Sequence, residues 1–187
     1  VARTVEASTG VARDWRTEVT VTTGATEAIY ATINAVVNPG DRVVVLEPLY
    51  DSYAQAIANA GGVLVPVGLL PPADARGRWQ VDWAELDAAT SAGFKLLVLN
   101  SPHNPTGTVF DAAELERFAA AVLAAGALAL CDEVYERLVY DDGPAFTSLS
   151  ALPAMRDRVV RISSAAKTFG FTGFKIGWAT AAPALTA

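Results

Sequence analysis

LLVLNSPHNPTGTVFDAAELERFAAAVLAAGALALCD, residues 96–132, holds two apolar runs, Leu96–Asn100 and Ala127–Asp132, on either side of an amphipathic stretch. Runs of five or six apolar residues have the length of strands buried on both faces. The segment between them is opened by Asp111 as a helix cap and continues to about Ala125, the span of a crossover helix. Strand, helix and strand in that order make a βαβ unit with parallel strands. The alternation recurs outward in both directions, with further candidate strands at Val19–Thr22, Arg42–Leu46, Val63–Val67, Val159–Ser163 and Ile176–Thr180. Ala25–Val37 reads as a helix stopped by Asn38, Pro39 and Gly40, and Ser52–Ala60 as one stopped by Gly61 and Gly62. Asp82 followed by Glu85 resembles a capping box for a short helix to about Thr90. The expected fold is α/β: three α-β-α layers around a mostly parallel seven-stranded sheet. Gly68–Trp79, with two prolines and two glycines, is the most loop-like stretch, and no linker divides the chain into two domains.

Composition narrows the function. The 187 residues are 52% hydrophobic, enough for one domain with a substantial core. Lys+Arg number 14 against 20 Asp+Glu, for a formal net charge of -6 and a pI near 4.7, so no bulk basic surface is offered to nucleic acid. Cys131 is the single cysteine and His103 the single histidine, which leaves no internal disulfide and no Cys/His zinc site and fits a reducing, cytoplasmic setting. Phe118–Cys131, the longest apolar stretch, is interrupted by Gly126 and falls short of the roughly 20 residues that cross a bilayer. The chain opens on Val1 and runs out over Ala181–Ala187 without an obvious terminal element, and so reads as a fragment.

In open α/β sheets, ligands gather beyond the carboxyl ends of the strands, and the chemically informative residues all follow strands. In TTGATEAI, residues 22–29, a strand runs through Gly24 into a helix. Free backbone N–H groups at the helix start, with the macrodipole and the Thr26 hydroxyl, suit a phosphate, although a plain turn at Gly24 with Thr26 as the helix cap reads the same way. In EPLYDSY, residues 47–53, Tyr50 is placed to stack on a flat ring or simply to pack. NSPHNPTGTV, residues 100–109, is a turn stiffened by two X–Pro bonds that holds the Asn104 amide in one orientation. His103 is an acid/base suspect by type, but its neighbours assign it to the turn. In ALALCDEVYERLVYD, residues 127–141, Asp132 ends a buried strand, where a carboxylate needs a cation or strong donors; Tyr135 follows three residues on. SSAAKTFGFTGFKIGW, residues 163–178, carries two of the three lysines. Lys167 lies among small residues and, partly withdrawn from water, becomes a usable nucleophile or base. Lys175 opens the next strand after Gly170 and Gly173 have turned the chain, and can hold an anion as a point charge.

In this order and spacing the five segments resemble the large domain of pyridoxal-phosphate-dependent aminotransferases of fold type I, class I/II. The similarity is greatest to the branch of kynurenine and actinobacterial N-succinyldiaminopimelate aminotransferases. The resemblance covers about Glu18–Trp178. It implies transamination between an amino acid and a 2-oxo acid, with pyridoxal 5'-phosphate held as a Schiff base on Lys167, which also moves the substrate proton. It implies that Asp132 pairs with the pyridine nitrogen, that Asn104 and Tyr135 bond the phenolic oxygen, and that Tyr50 stacks on the ring. Gly24, Ala25, Thr26, Ser164 and Lys175 would hold the phosphate; many family members have arginine where Lys175 stands. The resemblance further implies a homodimer in the full-length protein and a substrate-carboxylate arginine and N-terminal arm outside these residues, so that the fragment alone is expected to be inactive; charge and the short apolar stretch argue against nucleic-acid and membrane partners. Carbon–sulfur lyase chemistry on the same scaffold and a non-catalytic regulator module are the alternatives.

Overall fold

The computed structural model describes residues 1–74, 77–141 and 143–186. In chain order its elements are α1 (Ala2–Thr9), β1 (Val19–Thr23), α2 (Gly24–Val36), β2 (Arg42–Glu47), α3 (Asp51–Asn59), β3 (Val63–Leu70) and β4 (Gln80–Val81). These are followed by α4 (Trp83–Ser91), β5 (Leu96–Asn100), α5 (Ala112–Ala124), β6 (Leu128–Asp132), β7 (Val159–Ser164), α6 (Ala165–Thr168), β8 (Ile176–Thr180) and α7 (Pro183–Thr186). Short 3-10 turns occupy Leu149–Ala151, Pro153–Met155 and Thr172–Phe174.

All seven expected strands form, and they lie in one sheet of order β1-β8-β7-β6-β5-β2-β3-β4. The eighth strand corrects the expected count. β3 runs on to Leu70, into the stretch read as loop, and Leu69 and Leu70 pair antiparallel with Val81 and Gln80 of β4. Ala75 and Arg76 of that stretch lie outside the described residues. β7, β6, β5, β2 and β3 are mutually parallel, and β8 runs antiparallel between β7 and β1. That reversal follows from the short turn containing Gly170 and Gly173, which is too brief for a parallel crossover.

Side chains alternate across the strands, so each central strand feeds two cores. Val43 and Val45 pack with Ile29, Ile33 and Ile57 of α2 and α3 on one face. Val44 and Leu46 share the opposite core with Leu115 and Phe118 of α5 and Leu86 of α4. Fully burying each such side chain is worth about 1.5–3 kcal/mol, which makes the three layers the stable arrangement. The Asp111 cap is a complete capping box, its carboxylate accepting from Glu114 N and Glu114 answering to Asp111 N. At Asp82 only half the expected box forms: Asp82 accepts from Glu85 N, but Glu85 Oε2 accepts instead from Gly68 N on β3.

Candidate active site

The chain connects rightward from β2 to β3 and leftward from β5 to β6, so the sheet changes direction between β2 and β5, where α/β sheets open a crevice. Pairing registers align the strand ends there: Asn100 opposite Asp132, Asp132 opposite Ile162, Ser164 opposite Gly177, and Gly177 opposite Thr22. Because β8 is reversed, its amino end and Lys175 reach the same edge. A cleft of about 460 Å³ opens on it, and all ten sequence-derived candidates line it: Gly24, Ala25, Thr26, Tyr50, Asn104, Asp132, Tyr135, Ser164, Lys167 and Lys175. Tyr53 and Asn100, which sequence reasoning did not single out, line it as well.

At one end of the cleft stands the start of α2. Its N-cap is Thr23, not Thr26, and no side chain caps it, so first-turn N–H groups are left for a ligand. Gly24 turns the chain at φ 76, in the left-handed region that favours glycine. The helix start lies directly on β8 at Gly177, where a Cβ would stand 2.5 Å from Ala25 N and 2.6 Å from Gly24 O. Only glycine permits that approach, and the KIG triplet was its sole trace in the sequence.

At the other end, Asp132 is buried at 4% exposure. Burial pushes its carboxyl above the usual range, and hydrogen bonds from Tyr53 and Val134 N–H pull it back. Tyr53 Oη donates to Asp132 Oδ2 at 2.6 Å, and Val134 N to Oδ1 at 3.4 Å. The expected positive partner is not supplied by the protein: among the described residues no lysine or arginine forms an ion pair with Asp132. Asn100 Nδ2 donates to the Asp132 carbonyl, while its Oδ1 accepts from Asn104 N at 2.7 Å, so one buried amide ties the two ligand-bearing segments together.

Between these ends, Tyr50 caps α3 and meets Tyr53 edge to face, with centroids 5.7 Å apart. Lys167 sits on the one-turn α6 with its ammonium 5.6 Å from the Tyr135 ring centroid. Lys167 and Lys175 are both solvent-exposed, which corrects the expectation that Lys167 is withdrawn from water; Ala165 and Ala166 are too small to cover it. Ser164 caps α6 by accepting from Ala166 N, and its hydroxyl donates to the Ile176 carbonyl. Lys175 is held at φ 52, in the left-handed region, at the end of the 172–174 turn.

His103 belongs to its turn. It is buried, bonded through Nδ1 to Thr106 Oγ1 at 2.8 Å, and burial lowers its pKa to about 4, so it stays neutral near pH 7. Sequence reasoning also passed over Arg161, an arginine inside an apolar strand. It pairs at 2.5 Å with both Glu133 and Glu136 beside the Asp132 strand end.

A helix start without a side-chain cap, a buried carboxylate with no ion-pair partner among the described residues, and a lysine share this cleft. The whole chain, residues 1–187, matches the model of the family aminotransferase class I and II. The chain belongs to that family. It is 46% identical over 170 residues to a probable N-succinyldiaminopimelate aminotransferase of Mycobacterium tuberculosis, a match that covers 91% of this chain and 42% of that protein. It is 41% identical over 175 residues to kynurenine–oxoglutarate transaminase 1 of Rattus norvegicus, covering 90% of this chain and 41% of that protein. The solved structure of N-succinyldiaminopimelate aminotransferase from M. tuberculosis superposes with a TM-score of 0.92 at 44% identity, over 98% of this chain and 47% of that one. The aminotransferase fold type I architecture is thus shared throughout, and the chain spans somewhat less than half the length of these relatives. The family's cofactor is pyridoxal 5'-phosphate, and the residues present fit it: an uncapped helix start for the phosphate, a glycine-floored turn, and a buried carboxylate lacking a cation.

Proposed function

We propose that the full-length protein is an aminotransferase in which residues 1–187 form the cofactor-binding large domain. The carrying observation is the convergence of Lys167, Asp132 and the α2 start on one cleft. When bound, pyridoxal 5'-phosphate supplies an electron sink that no side chain offers. The Asp132 carboxylate would face the ring nitrogen and keep it protonated, with the charge Asp132 needs in return. Asn104 and Tyr135 would hydrogen-bond the phenolic oxygen, and Tyr50 would cover the ring face. The N–H groups of Ala25 and Thr26 at the turn made by Gly24, with Ser164 and Lys175, would hold the phosphate. Lys167 is the amine that would anchor the cofactor aldehyde and then carry the proton to and from the substrate α-carbon.

The substrates in this reading are an amino acid and a 2-oxo acid. A cytoplasmic homodimer is part of the proposal. It is supported by the free, buried Cys131 and by Phe169, Phe171 and Phe174, which stand 57%, 52% and 73% exposed beside the cleft and call for a cover. No helix among the described residues is long and apolar enough to cross a membrane.

The test is the absorption spectrum of the full-length protein with pyridoxal phosphate, with and without glutamate, beside Lys167→Ala. A visible band that needs Lys167 and converts with glutamate is expected. A Lys167-dependent band indifferent to every amino donor would overturn transamination in favour of lyase chemistry or a regulatory module.

A further inference from the structure

We infer that Tyr53 is a positioning residue that keeps Asp132 ionised and aimed at the ring nitrogen, a role that rests on reading the cleft as a pyridoxal phosphate site. Tyr53 is the third residue of α3, 2% exposed, and its hydroxyl reaches Asp132 Oδ2 at 2.6 Å across a sequence separation of 79. Among the described residues, the other carboxylate oxygen has only the longer contact, from Val134 N–H. The phenol therefore carries most of the work of stabilising a charge that burial disfavours.

The chemistry of the donor matters. A lysine or arginine at this position would neutralise Asp132 and remove the charge that a pyridinium needs. A phenol stabilises the carboxylate by a directional hydrogen bond and leaves its full negative charge. Burial and the facing Asp132 raise the Tyr53 pKa well above 10, so the hydroxyl remains a donor at every working pH. The other titratable groups near the pair do not replace it. Tyr50 at the N-cap of α3, Tyr135 of the loop after β6, Lys167 of α6 and Lys175 before β8 line the same cleft, and among the described contacts none of them forms a hydrogen bond or ion pair to Asp132. Arg161 of β7 is held by Glu133 and Glu136, and Cys131 on β6 is a buried thiol pushed up by its surroundings. Tyr50 caps the same helix and meets Tyr53 edge to face, so Tyr53 also couples the ring that would cover the cofactor to the carboxylate that would meet its nitrogen.

The experiment uses the full-length protein and the variants Tyr53→Phe, Asp132→Asn and the double substitution. Infrared titration of the cofactor-free protein reads the protonated carboxyl band of Asp132, assigned by its loss in Asp132→Asn. Tyr53→Phe is expected to move that titration up by about one to two pH units, the size of a hydrogen bond to a charged group. The affinity for pyridoxal phosphate is expected to fall about tenfold, in line with one such unit. In denaturant unfolding, Tyr53→Phe should cost much less in the Asp132→Asn background than alone; a packing role costs the same in both. 3-Fluorotyrosine in place of Tyr53 keeps the shape with a more acidic phenol and should move the titration down, so a poorly folding Tyr53→Phe leaves the question decidable. An unmoved carboxyl in a protein whose wild type shows the Lys167-dependent band overturns the inference alone. A moved carboxyl in a wild type that forms no such band overturns the cofactor site, and with it the purpose assigned to Tyr53.

Discussion

Gly177→Ala tests whether the anion site depends on how closely α2 seats on β8. The added Cβ would stand 2.5 Å from Ala25 N and 2.6 Å from Gly24 O, closer still to the Gly24 carbonyl carbon, and all three are backbone atoms that no rotamer change can remove. Restoring ordinary contact at 3.4 Å with the nearest of the three, the Gly24 carbonyl carbon, requires the helix start to lift by about 1.2 Å. Overpacking of this kind costs about 1–3 kcal/mol, or roughly 2–12 °C of melting temperature for a domain of this size. The displaced groups are the ones that would meet the phosphate, and a shift near 1 Å in a binding constellation can cost up to about a hundredfold. The assay is titration of the cofactor-free full-length protein with pyridoxal 5'-phosphate and, separately, with pyridoxal. Wild type should prefer the phosphorylated compound strongly, and Gly177→Ala should lose at least about tenfold of that preference while binding pyridoxal nearly as before. Gly143→Ala, whose Cβ would meet only Tyr140 O at 3.5 Å, is the control and should stay within about 0.5 kcal/mol of wild type. An unchanged preference in Gly177→Ala, or an equal loss for both compounds, would refute the reasoning.

Three further outcomes are expected. His103 has its folded pKa lowered to about 4 against 6.5 when unfolded, so its contribution is fully present above pH 6.5 and is lost as pH falls through 4, by up to about 3 kcal/mol; denaturant midpoints of wild type and His103→Asn should converge over that window. Arg161→Met strands two buried carboxylates and should cost about 3–5 kcal/mol, with the deficit shrinking as pH is lowered and Glu133, already raised to about 6 mainly by burial, takes up a proton. Lys167→Arg retains the positive charge but provides no amine for the aldehyde, so it should bind pyridoxal phosphate without the visible band, as equilibrium dialysis and absorption together would show.

The layers were legible because the buried strands are continuous apolar runs bounded by Gly, Pro and Asn, a local signal. The candidate residues were legible for a related reason: most follow parallel strands, whose carboxyl ends share one edge, and Lys175 joins them because it precedes the antiparallel β8. What escaped depends on contacts distant in sequence. Gly177 is demanding only because residues 24 and 25 cross it, and Tyr53 looks like any helix aromatic until Asp132 arrives from 79 residues away. β4 has two residues and is defined by the tail of β3, and Glu85 left its local capping partner for Gly68 of the same strand. The exposure of Lys167 depends on which atoms cover it, which a run of small neighbours does not specify.

The three acids at and just beyond the end of β6 show how period-2 alternation sends neighbouring charges to opposite faces. Asp132, Glu133 and Glu136 fall within five residues, all buried, with one guanidinium nearby. Arg161 pairs in register with Cys131, so its side chain leaves the sheet on the face of Cys131 and Glu133, whereas Asp132 is opposite Ile162 and leaves on the face packed by α2 and α3. Arg161 therefore meets Glu133 and Glu136 and is sterically denied to Asp132. Burial by itself would lower the Arg161 pKa, yet the facing Glu133 and Glu136 hold it above its ordinary value. A one-residue slip of β6 against β7 would turn Arg161 toward Asp132, neutralise it, and remove the charge that, in the proposed function, would face a ring nitrogen. The strand register that fixes the fold also decides which acid remains available for chemistry.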